Sequence, residues 1–444
     1  MLNRLRQEGK LKQILCSVGF VVVVAFLVRT VFLYYYFHSV MERVIQTDQA
    51  FGFEAGAVAA AIAQGRGFSS PLRMVQTGPT AWFTPIYPYL LAGVFKLCGV
   101  FSYSSNLVIR CLDNAFSSFT CWPIYAIGAR TFGKRVGKAA AWIWVFFPMS
   151  IFFSTVWVWD TALAALMLAL IVAATFSLRG SERLGSWIGY GALWAVGSMV
   201  NPGIVSALPP LALWALWPLR RRFATAGRLV VASSLIFAAG IMPWTIRNYV
   251  VFHKLIPFRS NFALELWLGN NPAVPDSWAP WMHPDDDRSE AAKYARMTEI
   301  PYMEEKQREA VLFIRTHPLD IMNFVLHRFS NNWLGMDSSP ADLWSHVPPL
   351  TRLGIVGNCI FPLLSLLGVL FAYREQNESA VPLALVMIFF PLVFYMTHAS
   401  TRYRHPMDPI MLVLAVYALA YPVPYLLKRF SGLESRIPAS HTTD

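Results

Sequence analysis

The sequence predicts an all-α polytopic membrane protein, and three observations carry that prediction. The chain of 444 residues is 56% hydrophobic and only 14% charged, with a mean hydropathy of +0.45. A soluble protein with so little charge would struggle to cover its own surface. Apolar runs of about 20 residues, the length that crosses a bilayer, recur about ten times. Lys and Arg gather at the ends of those runs, in Arg4–Lys12, Arg130–Lys138, Arg179–Arg183, Arg220–Arg228 and Lys428–Arg436, where they act as orientation signals.

The first apolar run, 14–36, is too long for a signal-peptide core and no small-residue cleavage site follows it. It reads as the first span. With the basic clusters in the cytoplasm, 38–83 lies outside. So do the turn at Trp157–Asp160, Asn201–Pro202, the loop 248–350 and 398–405. Residues 84–128 must then supply an odd number of crossings, yet they hold two apolar runs, 85–101 and 104–128. One of them is read as a partial insertion; the alternative puts 130–138 outside. Further spans fall near 138–155, 159–178, 184–200, 202–218, 227–246, 352–373, 380–397 and 406–427. The total is about ten to eleven transmembrane helices, with outer-face loop helices. Pro148, Pro202 and Pro243 are expected to kink or end spans. The chain divides into a first membrane module (1–247), a large outer loop (248–350), a C-terminal membrane module (351–430) and a polar tail (431–444). Within the loop, Ser289–Thr316 has a helical pattern.

The net charge of +12 is explained by span-end cations on lipid headgroups, so nucleic acid is not an expected partner. The five cysteines lie in or beside apolar runs, without the paired spacing of a disulfide framework or a zinc site. No Walker loop, GxSxG elbow or HExxH motif occurs.

Chemistry is expected where the chain stops being hydrophobic. Asp48 and Glu54 follow the first span, and Glu54 opens a small-residue helix, AlaGlyAlaValAlaAlaAlaIleAla, able to lie along the bilayer. A partly desolvated carboxylate there suits a general base; a solvated helix-start carboxylate is the plain alternative. Asp160, at the outer end of a span, is either functional or an N-cap. Arg247 sits where a span exits outward, against the positive-inside bias, and would bind a phosphate or a headgroup. Residues 397–406 (ThrHisAlaSerThrArgTyrArgHisPro) form the densest cationic group on that face, with Arg402, Arg404 and His405 as phosphate ligands or headgroup contacts. Asn261, Glu265, Trp267, Asn270 and Asn271 supply the amides, carboxylate and aromatic platform that a sugar site uses, or else an ordinary ordered loop. No metal or other cofactor is indicated, although the histidines keep a divalent metal open.

In order along nearly the whole chain, PheGlyPheGluAlaGly (51–56), GlnGlyArgGlyPheSerSerPro (64–71), ThrGlyProThrAlaTrpPheThrProIleTyrProTyrLeu (77–90), TrpAspThrAla (159–162), AsnProGly (201–203), ProTrpThrIleArgAsnTyr (243–249), GluLeuTrpLeuGlyAsnAsnPro (265–272) and ArgTyrArgHisProMetAspPro (402–409) resemble the GT-C membrane glycosyltransferases. The branch is the bacterial one similar to family 39, with protein O-mannosyltransferases and the aminoarabinose transferase of lipid A as relatives. The resemblance implies a GT-C-like bundle in the bacterial inner (plasma) membrane with its active face extracytoplasmic. It implies a polyprenyl-phosphate-linked sugar as donor, and a glycan, lipid or protein as acceptor. Glu54 matches the acidic residue that activates the acceptor, with Asp48 in reserve. Arg247, Arg402 and Arg404, the last preferred over Arg402, would hold the lipid phosphate. The loop 248–350 is too short for the extra soluble domain of the protein mannosyltransferases. The sequence thus expects Glu54 to meet Arg247 and Arg404 in one pocket and the displacement to invert the anomeric carbon. The competing readings are a flippase for lipid-linked glycans and a polysaccharide ligase or polymerase.

Overall fold

The computed structural model describes residues 17–44, 50–72, 75–335 and 349–421. Asp48 and the polar tail fall outside them. The described residues are helical and hold no β-strand; one isolated antiparallel bridge joins Ser69 to Pro79. In chain order the helices are α1 (Val18–Val44), α2 (Phe53–Ala63), α3 (Ile86–Cys98), α4 (Tyr103–Phe119), α5 (Cys121–Thr131), α6 (Lys134–Phe146), α7 (Pro148–Thr155), α8 (Thr161–Leu178), α9 (Leu184–Val200), α10 (Leu208–Leu216), α11 (Phe223–Phe252), α12 (Phe262–Gly269), α13 (Arg288–Met297), α14 (Glu299–Thr316), α15 (Pro318–Leu334), α16 (Pro349–Arg374), α17 (Val381–Phe389), α18 (Leu392–Met396), α19 (Thr401–Arg404) and α20 (Asp408–Ala420).

Among the described residues, six stretches are long and apolar enough to cross a membrane: Val18–Ser39, Thr161–Leu178, Pro202–Leu219, Phe223–Phe252, Val356–Arg374 and Glu378–Met396. The pair α6 and α7, bent by 50° at the break before Pro148, makes a seventh. This is an integral membrane protein, and among the described residues fewer helices reach that length and hydropathy than the ten or eleven expected. The reasons are local. Helix α9 has 17 residues. Helix α4 buries Arg110, Asp113 and Asn114, which lowers its hydropathy. Helix α3 has 13 residues, about 20 Å of rise, well short of a hydrocarbon core about 30 Å thick. Thr120, between α4 and α5, is itself helical (φ −60°, ψ −22°), its N–H donating to the Phe116 carbonyl and its carbonyl accepting from Ile124 N–H, so α5 follows α4 without a loop.

Pro202 opens a 3-10 turn, whereas Pro243 lies inside the continuous helix α11. The helix expected over 289–316 is split between α13 and α14 at Thr298 (φ 67°). Helices α12 and α15 of the same loop were not anticipated. Helix α2 departs from expectation as well. Ala55 through Ala61 are all buried, so the small side chains serve close packing against α3 instead of a place on the bilayer surface.

Arginines hold the interior at helix breaks. Arg29 of α1 donates to the carbonyls of Trp144 (3.1 Å) and Val145 (3.3 Å) and to Ser150 Oγ (2.7 Å), across the α6–α7 bend. Arg110 of α4 donates to the carbonyls of Thr155 and Val156, the latter at 2.9 Å. It thereby fixes the turn that carries Trp157, Trp159 and Asp160. Carbonyls freed at a break have no water to turn to, so a buried donor must meet them.

Close helix approach depends on small residues. A Cβ on Gly191 of α9 would lie 2.2 Å from the Ser233 carbonyl of α11, whereas one on Gly189 would meet nothing within 4 Å. Gly191→Ala is therefore expected to lower the melting temperature in detergent. Gly189→Ala, two positions away on the same helix, should leave it unchanged or raise it, because Ala favours a helix over Gly by about 1 kcal/mol.

Candidate active site

Loops from several parts of the chain converge on a cavity of about 300 Å³. Its walls come from the start of α2, the loop 82–83, the turn 157–161, Asn201, the stretch 259–286 and residues 393–406. Polar groups and aromatic faces alternate around it: Glu54, Asp160, Glu265, Arg259, Arg402, His283 and His398, with Trp82, Trp157, Trp159 and Trp278.

Glu54 is largely buried, and the two oxygens of its carboxylate differ. Oε1 lies 3.4 Å from His283 Nε2. Oε2 is buried without a hydrogen-bond partner. The Asp285 backbone N–H donates to His283 Nδ1 at 3.2 Å, which leaves the ring proton of neutral His283 on Nε2, facing Glu54. Burial lowers the proton affinity of His283, so the neutral form is favoured. Burial raises that of Glu54, opposed by the charges of Arg402 and Arg259. The result is a cavity-lining carboxylate with one oxygen oriented by an imidazole N–H and a second, buried, that is left unpartnered.

Asp160 stands just before α8, in the N-cap place, but makes no side-chain cap bond. Its carboxylate turns into the cavity instead, where Oδ2 accepts from Asn201 Nδ2 at 3.1 Å. Burial pushes its pKa up to about 6, against the nearby charges of Arg259 and Arg402 and the bond from Asn201. A third carboxylate, Glu265 of α12, accepts from Asn261 Nδ2 at 3.0 Å and lies 3.5 Å from His398. His398 stacks on Trp278, 4.5 Å apart at 6°, and its Nε2 meets the Tyr403 hydroxyl. Arg402 donates to that same hydroxyl and lies over the rings of Trp159 (4.5 Å) and Tyr403 (4.7 Å). Arg259 lines the cavity and, among the described residues, forms no hydrogen bond or ion pair. Its backbone is fixed all the same: Ser260 N donates to the Ala81 carbonyl at 2.8 Å and Ser260 Oγ to Glu299 at 2.7 Å.

The structure sorts the residues picked from sequence. Glu54, Asp160, Asn261, Glu265 and Arg402 meet in the cavity. Arg247 does not reach it. Its guanidinium donates to the carbonyls of Thr80 (2.7 Å) and Phe68 (2.9 Å) and braces the loop behind the cavity wall. Arg404 is also outside. It is fully buried and donates to the Asn332 and Trp333 carbonyls and to Asp408. His405 stacks on Trp144 and meets Asp408 Oδ2 at 2.9 Å. The preference for Arg404 over Arg402 is therefore reversed, and Glu54 faces Arg402 and Arg259 in place of Arg247 and Arg404. Trp267 is buried under the Lys306 ammonium, 3.5 Å from its ring centroid, so it offers no platform to a sugar. Asn270 donates to the Leu266 and Met396 carbonyls, and Asn271 caps its own turn at Ala273. Both belong to the frame.

Among the cavity residues not singled out in the sequence are Arg259, His283, His398 and Tyr403. Arg259 lies two residues before Asn261, and His398 and Tyr403 lie inside the quoted cationic stretch. His283 opens HisProAspAspAsp, but nothing in that string points to Glu54. It also changes the metal question. Glu54, His283 and Asp285 each offer a ligand atom, all within 4.8 Å of one another. Among the described residues they are the set able to take a divalent cation, which would displace the Nε2 proton of His283.

Glu299 fixes the wall behind the site. Its buried carboxylate accepts from Thr80 Oγ1, Ala81 N (2.7 Å), Ser260 Oγ (2.7 Å) and Tyr294 OH (2.9 Å). Four donors from three segments thus share one acceptor group. Glu299→Gln replaces an acceptor oxygen with a donor, so at least one buried donor is orphaned. The expected loss is about 1–3 kcal/mol, read as a lower unfolding temperature and faster proteolysis within 77–84.

Residues 82–246 match the family model described as dolichyl-phosphate-mannose-protein mannosyltransferase. No curated protein sequence matches the chain. The fold is similar to the archaeal oligosaccharyltransferase AglB from Archaeoglobus fulgidus in complex with an inhibitory peptide and a dolichol-phosphate. The TM-score is 0.54 at 15% identity, over 96% of this chain and 52% of that one. The apo form of the Archaeoglobus fulgidus oligosaccharyltransferase gives 0.53 at 14%, over 96% and 53%. ArnT from Cupriavidus metallidurans bound to undecaprenyl phosphate gives 0.35 at 14%, over 91% and 78%. The chain spans about half the length of the oligosaccharyltransferase chains it matches. The GT-C resemblance read from the sequence is borne out by the family match and the shared fold.

Proposed function

We propose that this GT-C membrane protein is a glycosyltransferase that moves a sugar from a polyprenyl-phosphate donor to an acceptor, with its cavity on the extracytoplasmic side of a bacterial inner membrane. The observation that carries the reading is the cavity's composition: an oriented carboxylate with one unpartnered oxygen, two guanidiniums and four tryptophans. The family match and the dolichol-phosphate in the similar AglB structure support a lipid phosphate as the group the guanidiniums meet.

The reaction is a single displacement. Glu54 Oε2 takes the proton of an acceptor hydroxyl or amine. The acceptor atom bonds to the anomeric carbon as its bond to the phosphate oxygen breaks, and polyprenyl phosphate leaves with that electron pair. One displacement inverts the anomeric carbon. Arg259, whose donors are free, and Arg402 neutralise the charge that grows on the leaving phosphate. Asp160, Glu265 and Asn261 bind sugar hydroxyls, and the tryptophans supply faces for the ring. The acceptor remains a glycan, lipid or protein.

The test follows release of polyprenyl phosphate from a labelled donor by purified protein. Glu54→Gln is expected to slow it by about 10²–10⁴-fold, the usual contribution of a general base. Arg259→Ala and Arg402→Ala should each cost about 10²–10³-fold, whereas Arg247→Ala and Arg404→Ala should act through stability. Unchanged turnover in Glu54→Gln would remove that residue as the base. Movement of intact lipid-linked sugar across vesicles without phosphate release would favour transport.

A pH dependence follows with a definite sign. Glu54 must be ionised to act, so activity rises with pH through its pKa, which burial holds above the ordinary value of 4.5. Arg402 pulls that pKa down. Arg402→Gln should therefore move the acid limb of kcat/KM to higher pH, beyond its effect on the rate. An unmoved limb would assign the limb to another group.

A further inference from the structure

Helix α15, in the outer loop, has its apolar side facing outward. Leu319, Met322, Leu326 and Phe329 recur at i, i+3, i+7 and i+10, and are 80%, 60%, 58% and 51% exposed. That is one face of a helix. Polar residues line the inner face: Arg328, Asn331 and Asn332 are buried, with Phe324 beside them. A third sector, between the other two, is exposed and polar: Asp320, Asn323 and His327. A helix in water needs two sectors, one for the core and one for solvent. Three sectors require three surroundings, namely protein, water and something apolar.

The apolar sector is continuous with the flank of the membrane spans. Phe329 packs on Tyr395 at the outer end of the span Glu378–Met396, 5.5 Å between rings. Leu392 and Met396 of that same end are 46% and 55% exposed. Val356, Ile360 and Leu363 of the neighbouring span in α16 are exposed too. The hydrocarbon that covers those residues therefore extends to the face of α15. The buried side of the helix reaches the cavity frame. Arg328 donates to the carbonyls of Ser277 (3.0 Å), Tyr395 (3.1 Å), Met396 (3.2 Å) and Gly269. Ser277 precedes Trp278, and Met396 precedes Thr397 and His398, all in the cavity wall. Gly269 is needed there, because a Cβ would lie 1.8 Å from the Thr397 carbonyl.

We infer that α15 is an interfacial helix, seated in the rim of the bilayer with Leu319, Met322, Leu326 and Phe329 in hydrocarbon and Asp320, Asn323 and His327 in water. The lipid surface thus carries the helix whose inner face braces one wall of the cavity. The inference does not depend on the glycosyl-transfer reading.

The test is hydroxyl-radical footprinting of the unaltered chain, at one copy per nanodisc of phosphatidylethanolamine and phosphatidylglycerol, read by mass spectrometry. Met322 and Phe329 should be oxidised several-fold less than His327 on the same helix. In a short-chain detergent that strips the rim, the difference should shrink. Met322 oxidised as fast as His327 in the nanodisc would overturn the inference, because the face would then be in water. Protection present at two copies per disc but lost at one would also overturn it, because the cover would be a second copy of the chain.

Discussion

Backbone carbonyls released inside a dry structure need donors, and in this protein arginine supplies them. Arg29 serves the break between α6 and α7, and Arg110 the turn after α7. Arg247 serves the loop 68–80, Arg328 the ends of α12 and α18, and Arg404 the end of α15. The guanidinium has five donors in a fixed fork, so one residue reaches two or more carbonyls from different segments. An unmet carbonyl in that setting would cost several kcal/mol. The cavity exists because these groups hold irregular loops against the helices without water.

That division of labour also defines the site. Arginines bound to carbonyls cannot offer their donors to a ligand; among the described residues that line the cavity the arginines are Arg259 and Arg402, and neither donates to a carbonyl. Arg402 lies against Trp159 and Tyr403, where its charge stays available to the cavity. The carboxylates show the same division. Glu299 has four donors on it and serves the frame. Glu54 keeps one oxygen without a partner. In a desolvated pocket such a group carries a raised proton affinity, the condition a general base uses.

Hydropathy and proline positions made the order of the membrane helices legible, because an apolar run of bilayer length has few other uses. The helical character of the small-residue stretch after Glu54 and of 289–316 was also legible, by period and composition, but the break at Thr298 was not. Helix α15 was not. Its inner face is polar and its outer face apolar, so a pattern read for a core-facing stripe points the wrong way. Glu54, Asp160, Glu265, Asn261 and Arg402 could be picked because each lies at a segment end, where polar residues are conspicuous among apolar ones.

By itself the sequence determined an all-α membrane protein, the GT-C resemblance, and the segments from which a site must be built. Only the tertiary structure decided which side chains within those segments face the cavity. Arg402 and Arg404 are two residues apart on one short turn, which sends one into the cavity and buries the other on the Asn332 and Trp333 carbonyls. His283 meets Glu54 only because the segment after α12 comes back to the start of α2. Side-chain direction in irregular segments follows from hydrogen bonds to distant backbone, and no local period of the sequence encodes those partners.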